Sequence, residues 1–380
     1  MKEFTVEFAR AIAFICQHSR LASGRPLRWA VIANTAAGGF TIKKRVAPHR
    51  AALEASVEKA AALSAAESRA RPSTSILNSE SRFAEYGFFE TKAAGDAALI
   101  TGELLKEAAS VSEDGEGGGN PLFLVVSAGG DGTALEILAE FHKQAAASPQ
   151  KFQDTFVFLR LPMGTGNDGA DAENLQDALS NLIEPHGVSY TSAVRLTTST
   201  PGKGPFYAFN ILSIGLDAFV THWTNRMKGR LPGDSYKLWL DAASLFYNKI
   251  YKVGVMDVRA CDETGNTVKQ FHEKTLLLAV GASGHRTYGA GNRIMPDDRN
   301  VCLMREMPLL RKIAIKGLVA HGGHVDSPEV SMFSAQCVKL MYGHPILAQM
   351  DGETILLGPS DFPAAIEVLE PLIPVLTIPK

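Results

Sequence analysis

The residues best suited by type and spacing to chemistry are Gly129, Gly130, Asp131, Gly132 and Thr133, a GGDGT run with Glu136 close behind. Its glycines put no side chain between the backbone and a ligand, and bare N–H groups at a helix start suit a phosphate. An acid in such a turn repels phosphate unless Mg2+ or a transferred proton lies between them, so Asp131 suggests chemistry as well as binding. An ordinary glycine turn is the competing explanation. A second run, LPMGTGND, supplies Gly164, Thr165, Gly166 and Asn167, with Thr165 and Asn167 offering neutral hydrogen bonds beside phosphates or a base. Asp168 at its end either serves a hydroxyl or caps the next helix. The turn that comes first in the chain, NTAAGG, contains Asn34, Gly38 and Gly39, with GGDGT second and LPMGTGND third. Near the end, the tight turn of Met350, Asp351, Gly352 and Glu353 offers two carboxylates, which a hairpin tip would explain equally well.

Each glycine turn follows an apolar run: Arg28 to Ala33, Pro121 to Val126, and Thr155 to Leu161. Helical spacing separates them, which fits a parallel sheet whose loops gather at the carboxyl ends of the strands. Residues 1–22 read as an amphipathic helix packed on its own domain, Ala47 to Arg71 as a helix, and RPSTSILNSESR behind it as a polar loop. Tyr86 to Glu90 reads as a strand, and Thr91 after it as a helix cap or a nucleotide contact. Ser110 to Asn120 is an acidic, glycine-rich surface connection. From Gly187 the texture changes to short strand-like pieces: Val188 to Leu196, Phe206 to Ile211, Lys252 to Arg259, Thr275 to Val280, and Val301 to Met304. A helix over Tyr236 to Tyr251 follows a basic loop, Asn225 to Gly233. Pro308 to Gly322 reads as a basic amphipathic helix, for which core packing is the default explanation. These readings give an α/β domain over residues 1–186 and a β-rich domain over 187–358.

A hydrophobic content of 46%, a charged content of 21% and a net charge of −2 describe a soluble globular chain with no overall attraction to nucleic acid or to anionic membrane. Cys16, Cys261, Cys302 and Cys337 form no CxxC pair, so neither zinc site nor disulfide framework is indicated, and a reducing cytoplasm fits. No apolar run approaches the roughly 18 residues of a membrane span. The N-terminus lacks the apolar core of a signal peptide.

In chain order the motifs resemble the diacylglycerol kinase catalytic family of diacylglycerol, sphingosine and bacterial lipid kinases. The resemblance rests on NTAAGG, Thr91, GGDGT with Glu136, LPMGTGND, FNILSIGLDAFV from Phe209, VGASGHRTYGAGNRIMP from Val280, GGHVD from Gly322, and MDGE. It implies an α/β plus all-β fold: a Rossmann-like nucleotide-binding domain, a β-sandwich-like second domain, a cleft between them, and a tail over 359–380 returning to the first domain. It also implies an ATP- and Mg2+-dependent lipid kinase, cytoplasmic and peripheral at a membrane, with no nucleic-acid partner and room for a homodimer. Asn34, Gly38, Gly39, Thr91, Gly129, Gly130, Gly132, Thr133, Gly164, Thr165, Gly166 and Asn167 would hold ATP. Asp131 would lie near the transferring phosphate, Asp351 or Glu353 would be the base, and Asp168 and Asp217 would face the acceptor. Asp297 and Asp298 are the corresponding acids for a structural Mg2+, although the glycine that usually follows them is missing. The first turn lacks the usual Asn-Pro, which removes a fixed φ.

Overall fold

A computed structural model describes residues 2–22, 24–70, 87–113, 120–164, 167, 169, 172–227, 247, 250–288 and 291–377. The chain divides into two compact units, Met1–Thr191 with Leu372–Lys380, and Ser192–Pro371. The first boundary therefore falls after Thr191, and the return at Leu372; residues 359–371 stay with the second unit.

The first unit is built on strands β1 (Leu27–Ala33), β2 (Phe88–Glu90), β3 (Leu122–Gly129) and β4 (Phe156–Pro162). All four are parallel, with β1 between β2 and β3, and β3 between β1 and β4. The C-terminal strand Ile373–Leu376 adds to β4 in parallel, and β5 (Val188–Thr191) pairs antiparallel beyond it. Every residue of β3 and β4 is buried, as expected of central strands covered on both faces. Alternate side chains enter opposite layers. Leu124, Val126, Leu159 and Leu161 join α1 (Lys2–Gln17), α2 (Gly38–Thr41) and α3 (Lys43–Ala70) in one core. α4 (Asp96–Glu113) follows β2. On the opposite face of the sheet, Phe123, Phe156 and Phe158 form an aromatic cluster with Phe141 of α5 (Asp131–Ala147) and Phe152 of α6 (Pro149–Thr155). α7 (Leu175–Ile183) returns to the first core.

Three boundaries differ from the sequence reading. β3 runs on through Ser127, Ala128 and Gly129, and α5 starts at Asp131, so the GGDGT run straddles the strand end and the first helical turn. α4 starts at Asp96, which removes the cap reading of Thr91; the carboxylate of Asp96 instead accepts the N–H groups of Lys92 and Ala93. α7 is capped by Asn174, whose side chain accepts from Asp177 N, so the helix does not use Asp168 as its cap. The loop 71–82 and most of the helix expected over 236–251 lie outside the described residues.

The second unit is antiparallel throughout. β6 (Val194–Thr197), β7 (Phe206–Ala208), β8 (Ile211–Gly215), β9 (Val255–Cys261) and the 15-residue β10 (Thr267–Gly281) open it. A small pair, β11 (Arg286–Tyr288) and β12 (Asn292–Met295), precedes β13 (Val301–Arg305), β14 (Val330–Phe333) and β15 (Cys337–Tyr342). β16 (Ile346–Met350), β17 (Glu353–Leu357) and β18 (Ala364–Val368) complete it. The first half of β10 pairs with β9 and its second half with β8 and β13, so this one strand crosses from one layer of a sandwich to the other. Period-two alternation sorts the second layer. Leu212, Ile214, Leu278, Val280, Val301 and Leu303 fill the space between the sheets. Their neighbours Ile211, Leu277, Ala279, Cys302 and Met304 face outward into a second core. Of the described elements, α8 (Leu216–Met227) closes that core through Ala218 and Phe219, and α9 (Leu309–Val319) through Ile315 and Val319, with Tyr247 beside them.

Candidate functional site

At the carboxyl edge of the first unit the three turns meet backbone to backbone. Asn34 N donates to Ala128 O at 3.0 Å, and Gly39 N to Met163 O at 2.8 Å, which ties the first turn to the second and third. A Cβ on Gly164 would stand 2.5 Å from Gly130 Cα, so only glycine lets the second and third turns approach this closely. Gly129 is held to glycine by Thr133, whose Oγ1 would lie 2.6 Å from an added Cβ. Gly130 is the N-cap of the 17-residue α5 and makes no side-chain cap hydrogen bond. Leading N–H groups of a helix have no partner within it, so this end, beginning at Asp131, Gly132 and Thr133, is open to an anion.

Several side chains around this edge hold the loops. Asn167 adopts a left-handed φ of 58°, and its amide accepts from Gly164 N at 2.6 Å while donating to Pro162 O and Gly164 O. Its polar atoms therefore shape the turn. Asn34 does the same in its own turn through Oδ1, which accepts from Ala36 N. Gly38 and Gly39 are buried in α2, and His49 Nδ1 bonds Gly39 O at 3.1 Å. Burial lowers the His49 pKa below the usual imidazole value, against the opposing pull of the Gly39 carbonyl. Thr91 packs against the end of β1, with its N–H on Ala33 O. Glu136 accepts from Gly95 N and Ala97 N at 2.8 and 3.1 Å, so it fastens the start of α4. Thr165, Gly166 and Asp168 lie outside the described residues.

The acid of the GGDGT run has a neighbour that the sequence reading passed over. Arg160, on β4 and only 8% exposed, places Nη1 3.4 Å from Asp131 Oδ1, which also lies 3.4 Å from Gly169 N. A Cβ on Gly169 would fall 1.9 Å from that nitrogen, so the glycine makes room for the guanidinium. Both of these contacts are long, and a carboxylate has about four acceptor positions. The signal available in the sequence was the lone cation in TFVFLRL. Arg45, on α3, donates to Gly164 O, and nothing in its local sequence marks it.

In the second unit, the turn between β16 and β17 separates its two carboxylates. Asp351 sits at φ 45° and accepts the consecutive N–H groups of Phe209 (2.5 Å), Asn210 (3.0 Å) and Ile211 (2.9 Å). Glu353 is exposed, and no hydrogen bond or ion pair joins its carboxylate to another described residue. α8 braces the turn: Asn225 Nδ2 donates to Gly352 O at 2.7 Å, and His222 Nδ1 meets Thr354 Oγ1 at 3.0 Å. Asp217 is buried and works from beneath. Its Oδ2 accepts from Ser213 and Gln349, and Gln349 Oε1 in turn accepts Gly352 N. Its carboxylate thus supports the turn through Gln349 and offers little surface to an acceptor.

Asp297 and Asp298 do not fit a structural metal. Arg299 grips Asp297 through Nε and Nη2 and holds its pKa down at about 2, while Asp298 is fully exposed and meets His285 Nε2 at 2.9 Å. A guanidinium supplies the positive charge a divalent ion would bring. Among the described residues, no group of three or more His, Cys, Asp or Glu side chains could hold a metal ion.

The fold and site define a class: an α/β unit with glycine turns at its carboxyl edge, and an antiparallel β-sandwich carrying an acidic turn. Residues 28–194 match the diacylglycerol kinase catalytic domain and residues 210–376 the YegS C-terminal NAD kinase beta sandwich-like domain, so the chain carries these two domains in that order. A protein of Xanthomonas euvesicatoria pv. vesicatoria (strain 85-10), named "Probable lipid kinase YegS-like", is 26% identical over 186 residues. That match covers 48% of this chain and 54%, about half, of the relative's length. A protein of the same name from Xanthomonas oryzae pv. oryzae (strain MAFF 311018) is 26% identical over 241 residues, 60% of this chain and 72% of that protein. The solved structure titled "Crystal structure of a putative diacylglycerol kinase from Bacillus anthracis str. Sterne" superposes with a TM-score of 0.54 at 17% identity, covering 94% of this chain and 96% of that one. A second structure from that organism gives 0.52 at 16% identity, covering 94% and 98%. At these identities the two structures speak for the fold.

Proposed function

We propose that the chain transfers the γ-phosphoryl group of ATP, as its Mg2+ complex, to a hydroxyl of a lipid such as a diacylglycerol or a sphingoid base. The observation that carries this reading is the glycine junction at Gly130 and Gly164 beside the uncapped start of α5, with Asp131 as its first residue. Backbone N–H groups there suit the phosphate chain, and Asp131 with phosphate oxygens is the sparse ligand set that Mg2+ accepts. When bound, the ion neutralises charge that develops on the transferring group. Arg160 orients Asp131 and adds a fixed positive charge close to it. In the transfer the acceptor oxygen bonds to the γ-phosphorus, the bond to the β-phosphate oxygen breaks, ADP leaves, and the acceptor proton passes to a carboxylate. Glu353 suits that role better than Asp351, whose oxygens are already turned to three backbone N–H groups. The reading is tested by ADP release and lipid phosphate formation from ATP and Mg2+ with diacylglycerol or sphingoid base in mixed micelles, beside a panel of soluble alcohols. Lipid-dependent transfer that disappears in Asp131→Asn is the expected result. Transfer to a soluble alcohol alone, or nucleotide binding with no transfer to any acceptor, overturns it.

A further inference from the structure

We infer that the outer face of α9 is a docking surface for an anionic lipid bilayer. Only Ile315 and Val319 of this helix are buried in the unit's core. Leu310, Ile313, Ala314, Gly317 and Leu318 follow the i, i+3, i+4, i+7, i+8 spacing of a single helical stripe, and all five face out. Leu310 is 82% exposed, Ile313 53% and Leu318 39%, with Leu309 beside them at 46%. Scattered exposed leucines need no explanation, but a continuous stripe on one helix does. The sequence reading assigned this amphipathic segment to core packing; the structure gives the core two of its residues and turns the larger apolar face outward.

Charge selects the occupant. From Met307 to Gly323 the sequence has no Asp or Glu and carries Arg311, Lys312 and Lys316. Arg311 pairs with Glu329 and Lys312 with Glu306, which fastens the basic flank of the helix to its own unit and leaves the stripe free to face outward. Lys316 on the helix and His321 just past its end are exposed, and exposed Arg293 stands close by, its Cβ 3.8 Å from the position of a Cβ on Gly322. Asp326, in the turn that follows, is an exposed acid near the end of the helix. An apolar stripe bordered by cations is the pattern of a helix lying in a bilayer interface, where anionic headgroups meet the cations and acyl chains the leucines. A second copy of the chain, docked symmetrically, would bring the same cations against one another. α8, which braces the acidic turn, and α9 cover the same face of the same sheet, so a bilayer meeting α9 lies on the side of this unit that carries α8. The inference rests on the lipid-kinase reading for its purpose, although not for its geometry.

The test is flotation of the full chain with phosphatidylcholine vesicles and with phosphatidylcholine vesicles containing phosphatidylglycerol. The wild type and a Leu310→Glu/Ile313→Glu double variant are compared, and each is also assayed for phosphorylation of a water-soluble short-chain diacylglycerol. Both side chains are exposed, so the variant keeps its melting temperature. Binding of the wild type that rises with phosphatidylglycerol, and falls about tenfold or more in the variant, is the expected result. Turnover of the soluble acceptor should be equal in the two. Vesicle binding without phosphorylation of any lipid would uphold the docking surface and refute the kinase reading. Equal flotation of wild type and variant overturns the inference, as does a dimer that the variant dissociates while vesicle binding is unchanged.

Discussion

The two acids of the MDGE turn, Asp351 and Glu353, are two positions apart in the sequence and are held in different surroundings. Replacing Glu353 by Gln keeps its shape and removes a proton acceptor. The expected outcome is a fall in kcat of about 10²–10⁴-fold with the ATP KM and melting temperature unchanged. Asp351→Asn instead points an amide at three N–H donors, so it should cost about 1–3 kcal/mol in urea unfolding and lower activity through the displaced turn. Equal effects of both changes on kcat with neither touching stability would reverse the assignment. Arg160→Gln removes the cation beside Asp131; its signature is a raised ATP KM and a raised Mg2+ requirement, read by steady-state kinetics across Mg2+ concentrations. The sequence made the acids visible because side-chain type and the tightness of the turn are local properties. It did not separate them, since the donors to Asp351 come from residues about 140 positions earlier in the chain. Arg160 was hidden for a related reason: its meaning depends on the register of β4 beside β3, which sets Arg160 level with Ser127.

At the level of elements, the glycine turns act as a joint with no slack. Gly164→Ala would drive a methyl into Gly130 Cα, and overpacking of that kind costs about 1–3 kcal/mol. Thermal unfolding with and without ATP should show a lower melting temperature and a smaller nucleotide-induced rise. His49 beneath α2 gives the same region a pH response. Its folded pKa lies below the unfolded one, so the associated stability is complete above the unfolded value of about 6.5 and is lost as pH falls towards the folded value. A melting temperature that drops between neutral and mildly acidic pH, and drops less in His49→Gln, is expected. Strand and turn positions were legible because parallel central strands are continuous apolar runs and glycine marks their ends. The start of α4 was not, because Glu136, on a different helix, supplies part of its cap. α9 shows the same limit: periodicity reveals a stripe, while only the packed structure shows which stripe turns inward.

For the whole molecule, the two-unit division was legible in the change of texture near residue 187. Its seam was not, because β5 reads like the sandwich strands that follow it, and only its pairing with the C-terminal strand assigns it to the first unit. Deleting residues 372–380 should therefore damage the first unit and spare the second. Limited proteolysis of that truncated chain is expected to degrade residues 1–191 rapidly and leave a fragment near 192–371. A truncated chain as resistant as the full one throughout would contradict the strand's role. Thr191 and Ile373 are register partners, so the chain leaves the first unit and re-enters it at neighbouring points. On the ribosome this reverses the usual order of events. The amino-terminal half is made first, yet β4 waits with an unpaired edge until residue 373 has emerged, by which time all of the sandwich is available to fold. The unit that carries the glycine turns thus starts first and is finished last.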